Sequence, residues 1–480
     1  MFRASLVPLA VLLVGLPLGG CSDDDSPAAD RVAPAQAAIL TVQVHPTGVF
    51  LAWTAPGDDG NTGTAAEYEI RYSTGWITQE NWDTGTLVRN VEAPEEAGTT
   101  QVAFVLDLAP GTLYFFSVRT ADEAGNWSPI SDPVSAVTIG DNPEDSHWWD
   151  GFGNESAPFG DVLALTVHDG ELIVGGLFNH VGSMPADAVA AWNGTSWRAL
   201  GNSSGLETVQ ALTSWNGNLI AAGRAAMAKG PERYMVASWD GSSWTPLGPA
   251  TWIEADDEVR ALAVFEGDLI AGGSFNLCAG GSCPNVARWD GDSWSLLSGG
   301  LDGPVRALLV HDGTLYAAGH IGAGTVGVAA WDGSHWKPVG SGIEGTVTAL
   351  TVFEGDLVAA GDICRSGGSA SERVLRWNGS SWSGVGGSVP MTCLLSLGVH
   401  DGALIVGGMF GHQGATSCPS PFRMLSAWDG IAWRSPGSGL LSSTEDAGVA
   451  AIQAYDGDLY VGGVFLEAGG KPSICIARWR

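Results

Sequence analysis

The stretch that decides the fold is residues 259–294, which reads VRALAVFEGDLIAGGSFNLCAGGSCPNVARWDGDSW. Its apolar runs predict strands at residues 259–264, 269–271 and 286–289, and a fourth strand that opens with Trp294. Tight turns join these short strands into one antiparallel sheet, which cannot bury both of its faces by itself. The fold therefore depends on further copies of the same unit packed beside it.

The composition of the whole chain indicates an all-β protein with more than one domain. Its 480 residues exceed what one hydrophobic core usually serves, and they include 69 glycines and 21 tryptophans. Short strands punctuated by Gly, Asp and Asn are typical of all-β folds. Asp and Glu outnumber Lys and Arg by 52 to 21, and the resulting net charge of −31 argues against nucleic acid as a partner.

Residues 1–20 are predicted to be a targeting segment. Arg3 precedes an apolar run at residues 6–18, whose 13 residues are too few for a membrane-spanning helix, which needs about 20. The run ends in Leu18-Gly19-Gly20-Cys21, which resembles the bacterial lipoprotein signal. This resemblance implies a lipid on Cys21, a flexible tether at residues 21–36 and a protein anchored to the outer membrane, on its periplasmic side or at the cell surface. The alternative is an ordinary signal peptide with an incidental cysteine.

Residues 37–140 carry a strand pattern with a different period. The alternation at residues 49–53 places Trp53 inward. The run LAPGTLYFFSV at residues 108–118 then resembles the fibronectin type III domain. This resemblance implies a β-sandwich with Trp53 in its core and with the Tyr114 hydroxyl bonded back to the chain in a tyrosine corner. The family implies no catalytic residues, and the loop at residues 57–61 is predicted to be solvated because it lacks the pattern of a calcium loop.

From residue 144 to residue 480 the opening unit repeats. The second glycine of its Gly-Gly or Ala-Gly doublet recurs at intervals of 42–55 residues, at Gly176, Gly223, Gly273, Gly319, Gly361, Gly408 and Gly463. Six copies also carry two tryptophans five residues apart, with Asp-Gly or Asn-Gly directly after the first. The repeat resembles kelch-type propellers, although Trp-(Asp/Asn)-Gly-x-x-Trp replaces the kelch Tyr–Trp pair. The resemblance implies a seven-bladed β-propeller.

The seventh copy stops at Trp479-Arg480, one strand short. The missing strand is predicted at residues 147–153, where Trp149-Asp150-Gly151-Phe152-Gly153 matches Trp197-Arg198-Ala199-Leu200-Gly201. The propeller should then close by joining its first strand to its last three, which leaves no open sheet edge.

Six cysteines remain after Cys21, and an even number in an exported chain suggests disulfides. Their positions in the repeat predict three pairs: Cys278 with Cys283, Cys364 with Cys393, and Cys418 with Cys475.

Binding is predicted on the face that carries the longer and more variable loops. The candidate contact residues are Phe410, His412, Phe422 and Arg423, because aromatic and Arg side chains dominate binding hot spots. The innermost strands read Val-x-Ala-Leu without a catalytic acid or His, so these strands are expected to be chemically inert. Rigid loops lose less entropy when they bind, which favours a recognition surface.

These features predict a non-catalytic binding or adhesion protein, a monomer whose partner is a protein or a glycan. A metal site at His180, His320 and His412 is disfavoured because their blades are not adjacent, and no cofactor is expected. The acidic loop at residues 254–258 is read as solvated, with calcium or a cationic ligand as the alternative. The competing function is an enzyme that acts on polysaccharide, a lyase or an oxidase. An oxidase is disfavoured because Tyr316 and Tyr460 sit in scaffold strands.

Overall fold

The computed structural model describes most of the chain after residue 30, namely residues 31–44, 48–89, 91–138, 140, 142–152, 157–201, 205–225, 234–248, 257–276, 284–321, 327–365, 373–387, 389, 391, 393–409, 424–442 and 447–480. Within these residues, no helix has the length and apolar character needed to cross a membrane.

The N-terminal part is a sandwich of two antiparallel sheets. Its strands are β1 (Ile39–Val44), β2 (Val49–Thr54), β3 (Glu67–Ser73), β4 (Thr86–Leu87), β5 (Thr100–Val105), β6 (Leu113–Ala121) and β7 (Val134–Val137). One sheet has the order β1-β2-β5 and the other β4-β3-β6-β7, and a short 3-10 helix at Trp82–Thr84 precedes β4. The core between the sheets is apolar and aromatic because inward positions alternate along each strand.

Both residues predicted to organise this sandwich are where the sequence placed them. Trp53 is 1% exposed, and its ring meets the ring of Tyr68 edge-on at a centroid distance of 5.0 Å. The Tyr114 hydroxyl accepts a hydrogen bond from the backbone N–H of Ala109 at 3.0 Å. The tyrosine corner is thereby confirmed.

A second 3-10 helix, Pro143–His147, leads into seven repeated sheet units, counted over the described residues. Unit 1 holds β8 (Pro158–His168), β9 (Glu171–Val181), β10 (Met184–Pro185), β11 (Val189–Trp192) and β12 (Trp197–Ala199). Unit 2 holds β13 (Leu206–Trp215), β14 (Asn218–Ala225), β15 (Val236–Trp239) and β16 (Trp244–Pro246). Unit 3 holds β17 (Glu258–Phe265), β18 (Asp268–Asn276), β19 (Pro284–Trp289) and β20 (Trp294–Leu296).

Units 4 to 6 repeat the same order of strands, whereas unit 7 has only three of these strands together with a small separate three-stranded sheet. Unit 4 holds β21 (Val305–His311), β22 (Thr314–Gly319), β23 (Val328–Trp331) and β24 (Trp336–Pro338). Unit 5 holds β25 (Ile343–Phe353), β26 (Asp356–Arg365), β27 (Val374–Trp377) and β28 (Trp382–Gly384). Unit 6 holds β29 (Cys393–His400), β30 (Ala403–Met409), β31 (Leu425–Trp428) and β32 (Trp433–Arg434). Unit 7 holds β33 (Leu440–Leu441), β34 (Gly448–Tyr455), β35 (Asp458–Val464), β36 (Glu467–Ala468), β37 (Lys471–Pro472) and β38 (Ile476–Trp479).

The turn between the first two long strands of each unit has the same conformation in all seven. Its first central residue, Asp, Asn or Glu, has a φ of 46–52°, and the glycine after it has a φ of 71–90°. Two consecutive residues with positive φ define the type I′ turn, whose twist matches that of the strands it joins.

The second glycine of each doublet is fixed by a backbone contact. A Cβ at any of the seven positions would lie 1.9–2.3 Å from a backbone carbonyl oxygen of the first strand or, in unit 4, of the residue directly before that strand. The first position of the doublet faces side chains of the next unit, as at Gly175, where a Cβ would meet Val209. Alanine replaces the first glycine in units 2, 4 and 5, whereas the second glycine never changes.

The tryptophan pairs pack ring against ring, and in four units they also connect the unit to the one before it by a hydrogen bond. In units 1 to 6 the two rings lie 5.1–5.5 Å apart, centroid to centroid. In units 2, 3, 5 and 6 the second indole N–H also donates to a carbonyl of the preceding unit, at distances of 2.6–3.3 Å. In units 1 and 4 this atom, Nε1 of Trp197 and of Trp336, is buried without a hydrogen-bond partner.

The first strands of the units contact one another in chain order, from β8 through β13, β17, β21, β25 and β29 to β34, and β34 in turn contacts β8. A hydrogen bond supports this last contact, because the hydroxyl of Tyr455 donates to the carbonyl of Gly170 at 2.9 Å. The equivalent position in unit 2 makes the same kind of bond, from Trp215 Nε1 to the Gly267 carbonyl at 2.8 Å.

The segment before unit 1 pairs with the last strand of unit 7, but its register differs from the prediction by one residue. Trp148, not Trp149, lies opposite Trp479, and its Nε1 donates to the Pro436 carbonyl at 3.3 Å. Phe152 is fully buried among aromatic rings, as expected for the counterpart of Leu200. Trp148 and Phe152 are four residues apart, whereas Trp197 and Leu200 are three apart, so the closing segment contains one extra residue.

Candidate functional site

The residues predicted to contact a ligand, Phe410, His412, Phe422 and Arg423, lie outside the described residues. The lipidation candidate Cys21 also lies outside them. Three counterparts of Phe410 are described, and Phe178, Phe275 and Phe465 are all buried. The described phenylalanines at this position pack in cores shared by neighbouring units.

The two described histidines of the disfavoured metal site are both exposed. Nδ1 of His180 lies 2.8 Å from Oδ1 of Asn179, and Nδ1 of His320 lies 3.4 Å from Oγ1 of Thr346. Across the described part of the chain, no three His, Cys, Asp or Glu side chains are grouped so that they could hold a metal ion.

A polar cluster that the sequence prediction missed lies on the first strands. Each of these strands has a β-bulge at the same place, directly after the first residue of the Val-x-Ala-Leu motif in units 1 to 5 and after the equivalent residues Leu394 and Val449 in units 6 and 7. We call the seven residues at these bulges the bulge ring: Leu163, Gln210, Arg260, Arg306, Thr348, Leu395 and Ala450. Bulges redirect side chains and are common beside binding sites.

The polar members of the bulge ring, which include Thr348, belong to the consecutive units 2 to 5. Gln210, Arg260 and Arg306 come from β13, β17 and β21, each of which contacts the next. Arg260 forms an ion pair with Oε1 of Glu258, which is only 7% exposed. The other carboxylate oxygen, Oε2, accepts a hydrogen bond from Nε2 of Gln210 at 2.7 Å. Both oxygens of this buried carboxylate are therefore satisfied by bulge residues.

Arg306 differs from Arg260 because it makes no hydrogen bond or ion pair with any described residue. Its side chain is exposed to water, yet burial lowers the pKa of its guanidinium and the neighbouring Arg260 lowers that pKa further, while Glu258 acts in the opposite direction. The expectation that the inner strands are inert overlooked the variable residue of Val-x-Ala-Leu, which is polar in units 2, 3, 4 and 5.

A recess lies where the closing segment meets unit 1. This cavity of about 370 Å³ is lined by Trp149, Gly151, Val181, Ser183, Met184, Trp192, Thr195, Ser196 and Trp197. The Trp149 ring folds onto Gly151, where a Cβ would lie 2.0 Å from the ring. The cavity is thus bounded by indole surfaces and by the hydroxyls of two exposed turn residues, Thr195 and Ser196.

The extra residue of the closing segment changes the packing at the junction with unit 1. In unit 2 the Trp244 indole N–H donates to the Leu200 carbonyl at 2.6 Å and ties the two units together. The counterpart in unit 1, Trp197, has no such partner, and the inserted Trp149 lies beside it instead. The junction with unit 1 thus lacks this inter-unit hydrogen bond, as the junction with unit 4 also does, and it has a cavity with aromatic walls beside Trp197.

The cysteine predictions are not supported where the structure describes the residues. Cys393 and Cys475 carry free thiols, so the predicted pairs of Cys364 with Cys393 and of Cys418 with Cys475 are not formed. Cys475 packs as a small apolar residue in the core between units 7 and 1, and burial raises the pKa of its thiol to about 11. The third predicted pair, Cys278 with Cys283, lies outside the described residues, as does Cys418.

Comparison with known proteins identifies the N-terminal domain. The fibronectin type III domain family matches residues 33–137. Endoglucanase B of Cellulomonas fimi is 34% identical over 115 residues, which are 24% of this chain and 10% of that protein. Calcium-activated chloride channel regulator 1 of Homo sapiens is 31% identical over 122 residues, which are 24% of this chain and 13% of that protein. The chain thus spans only about a tenth of the length of these curated relatives.

A solved structure, the sensor domain of an anti-sigma factor from Pseudobacteroides cellulosolvens, is 18% identical with a TM-score of 0.17 and covers 23% of this chain and 99% of that chain. The family match, the buried Trp53 and the hydrogen bond at Tyr114 agree with one another. Residues 33–137 of this chain are a fibronectin type III domain.

Proposed function

We propose that this protein is a non-catalytic binding protein outside the cytoplasm, anchored by a lipid on Cys21. In this proposal a fibronectin type III domain precedes a seven-bladed kelch-like propeller, which the segment around Trp148 closes. The cyclic contacts of the first strands and the hydrogen bond between Tyr455 and Gly170 support the closed arrangement.

The proposed ligand is a glycan or a protein, and a glycan is favoured. The observation that carries this choice is the cavity beside unit 1, because indole surfaces next to hydroxyl groups suit the mixed apolar and polar faces of a sugar ring. The similarity to a protein named endoglucanase B also supports a role related to polysaccharide. The loop residues His412 and Arg423 remain a separate prediction for ligand contact.

A blocking substitution tests the cavity. Thr195→Arg places a long side chain at its rim, on an exposed turn that tolerates several residues. The matched control is Ser242→Arg at the equivalent turn position of unit 2, where the side chain makes the same type of hydrogen bond to the Asp or Asn of the turn. On a glycan array, we expect T195R to lose the binding that the unmodified protein and S242R share.

The other outcomes identify other binding modes. Binding that persists in T195R but is lost in a variant with both His412→Ala and Arg423→Ala would move the site to the loops. Turnover of a polysaccharide by the purified protein would overturn the non-catalytic proposal in favour of the enzyme.

The lipid anchor has its own test. Cys21→Ala removes the sulfur to which the lipid would be attached, so we expect the variant to appear in the soluble fraction after cell lysis, whereas the unmodified protein stays with membranes. Retention of the variant in membranes would contradict the anchor without affecting the proposed binding function.

A further inference from the structure

We propose that Arg306 and Arg260, at the bulges of β21 and β17, form a binding site for the oxyanion group of a small acidic ligand. This site lies on the first strands, away from the predicted loops and from the cavity beside unit 1. It is therefore a second function, and it does not depend on the proposed binding of a glycan at that cavity.

Within the described part of the chain, the guanidinium of Arg306 lacks the partners that an arginine normally has. A guanidinium presents five N–H donors in one plane, and partly desolvated arginines are normally matched by carboxylates or other acceptors. Arg306 has no hydrogen bond or ion pair among the described residues, although its chain carries 52 acidic residues. Most arginines in the units are paired with a nearby acid, for example Arg376 with Asp356 and Arg434 with Asp429.

The charged groups next to Arg306 do not balance one another. Arg260 and Arg306 occupy equivalent bulge positions on two strands that contact each other, and the charge of Arg260 lowers the pKa of the Arg306 guanidinium. Glu258 could relieve this repulsion, but its two oxygens are already held by Arg260 and Gln210. Positive charge therefore exceeds negative charge at this point of the bulge ring, and an anion that contacts both guanidiniums would balance it.

The backbone places the two arginines at equivalent positions of neighbouring strands. Both arginines occupy the inserted residue of a β-bulge, and the bulges lie at the same level on adjacent strands. Strands that contact each other, rather than loops, carry the two arginines, so little backbone order is lost when a ligand binds. The bulge position also accepts uncharged residues, such as Gln210 and Thr348, so folding does not require arginine there.

The chemistry of the ligand follows from the guanidinium geometry. Carboxylate, sulfate and phosphate groups all present two oxygens that accept parallel N–H bonds from one arginine. Such a group could belong to a free inorganic ion or to an acidic sugar. A neutral sugar lacks the group, which makes glucose and glucuronate a matched pair of probes.

The test compares Arg306→Gln with the unmodified protein in titration calorimetry against inorganic phosphate, glucuronate and glucose. The control is Arg434→Gln, which makes the same change of charge at an exposed ion pair. We expect the unmodified protein and R434Q to bind phosphate or glucuronate but not glucose, and R306Q to lose roughly tenfold or more in affinity. Binding of glucuronate but not of phosphate would assign the site to an acidic sugar, and the reverse to a free ion.

Thermal unfolding without ligand separates loss of the site from loss of the fold. Because Arg306 is unpaired and lies beside another positive charge, R306Q should melt at the same temperature as the unmodified protein or at a higher one. Equal affinity of R306Q and the unmodified protein for the anions would overturn the proposal, as would the absence of anion binding in both. A marked fall in the melting temperature of R306Q would show that Arg306 has a structural role, and this too would overturn it.

Discussion

At the scale of single residues, the two positions of each doublet differ in what prevents a larger side chain. A Cβ at position 176 would lie 1.9 Å from the backbone oxygen of Asp161, whereas a Cβ at position 175 would meet the side chain of Val209. We expect Gly176→Ala to lower the free energy of unfolding by about 3 kcal/mol or more, and Gly175→Ala by about 1 kcal/mol or less. Urea denaturation of the two variants measures the difference, and equal losses would refute this account.

The aspartates of the Trp-(Asp/Asn)-Gly-x-x-Trp turns should make the stability of the fold depend on pH in the acidic range. Oδ1 of Asp240 accepts hydrogen bonds from the backbone N–H of Ser242 and of Ser243, both at 2.8 Å. The N–H of Ser243 and the other donors of the turn lower the pKa of Asp240 from 3.8 to about 2. The ionised form therefore stabilises the fold above about pH 4, and this stabilisation is lost as the pH falls toward 2.

Asparagine occupies the same turn position in units 1 and 5 and accepts the same backbone bonds. Replacing the four turn aspartates of units 2, 3, 4 and 6 by Asn, at Asp240, Asp290, Asp332 and Asp429, should flatten the decrease in melting temperature between pH 4 and pH 2. An unchanged pH profile in this variant would show that the turns do not contribute to acid unfolding.

At the scale of elements, the second tryptophan of a unit can stabilise the fold by the packing of its ring and by the hydrogen bond of its indole N–H. The two contributions can be measured separately, because some units have the packing without the hydrogen bond. Nε1 of Trp294 donates to the Leu247 carbonyl at 2.8 Å, but Nε1 of Trp336 has no partner. Both rings lie 5.4 Å from their paired ring. We therefore expect Trp294→Phe to cost about 1 kcal/mol more than Trp336→Phe. Chemical denaturation of both variants would show no difference if the N–H bond contributes nothing.

The repeat explains which elements could be read from the sequence. The I′ turns, the glycine doublets and the tryptophan hairpins recur at fixed spacing, so their positions follow from comparing copies. Trp148 could not be identified in this way, because one inserted residue places Trp149 at the expected spacing. The free thiol of Cys475 also escaped prediction, since counting cysteines gives no information about burial. The bulge ring was missed because its members share a position and not a residue type.

At the scale of the whole molecule, the segment before unit 1 fastens unit 7. Asp145 accepts hydrogen bonds from the backbone N–H and from the hydroxyl of Ser438, both at 2.6 Å, and Trp148 is 1% exposed. A chain that begins at residue 157 lacks these contacts, whereas a chain that begins at residue 142 keeps them and lacks only the fibronectin type III domain. We expect the shorter chain to melt several degrees lower, because unit 7 then exposes an apolar edge. Equal melting temperatures of the two chains in calorimetry would contradict the role of this segment.

The pairing of His147 with Arg480 has a consequence for the order of folding. These residues are 333 positions apart, so their contact must be made by two segments synthesised at opposite ends of the repeated units. Contacts of such long range form late because closing the intervening loop costs entropy before any bond repays it. The apolar ring of Trp148 therefore stays exposed to solvent until β38 has been synthesised. During this interval the nascent chain is vulnerable to pairing with another copy of itself, and a chaperone that shields the waiting segment would raise the yield of correctly assembled protein.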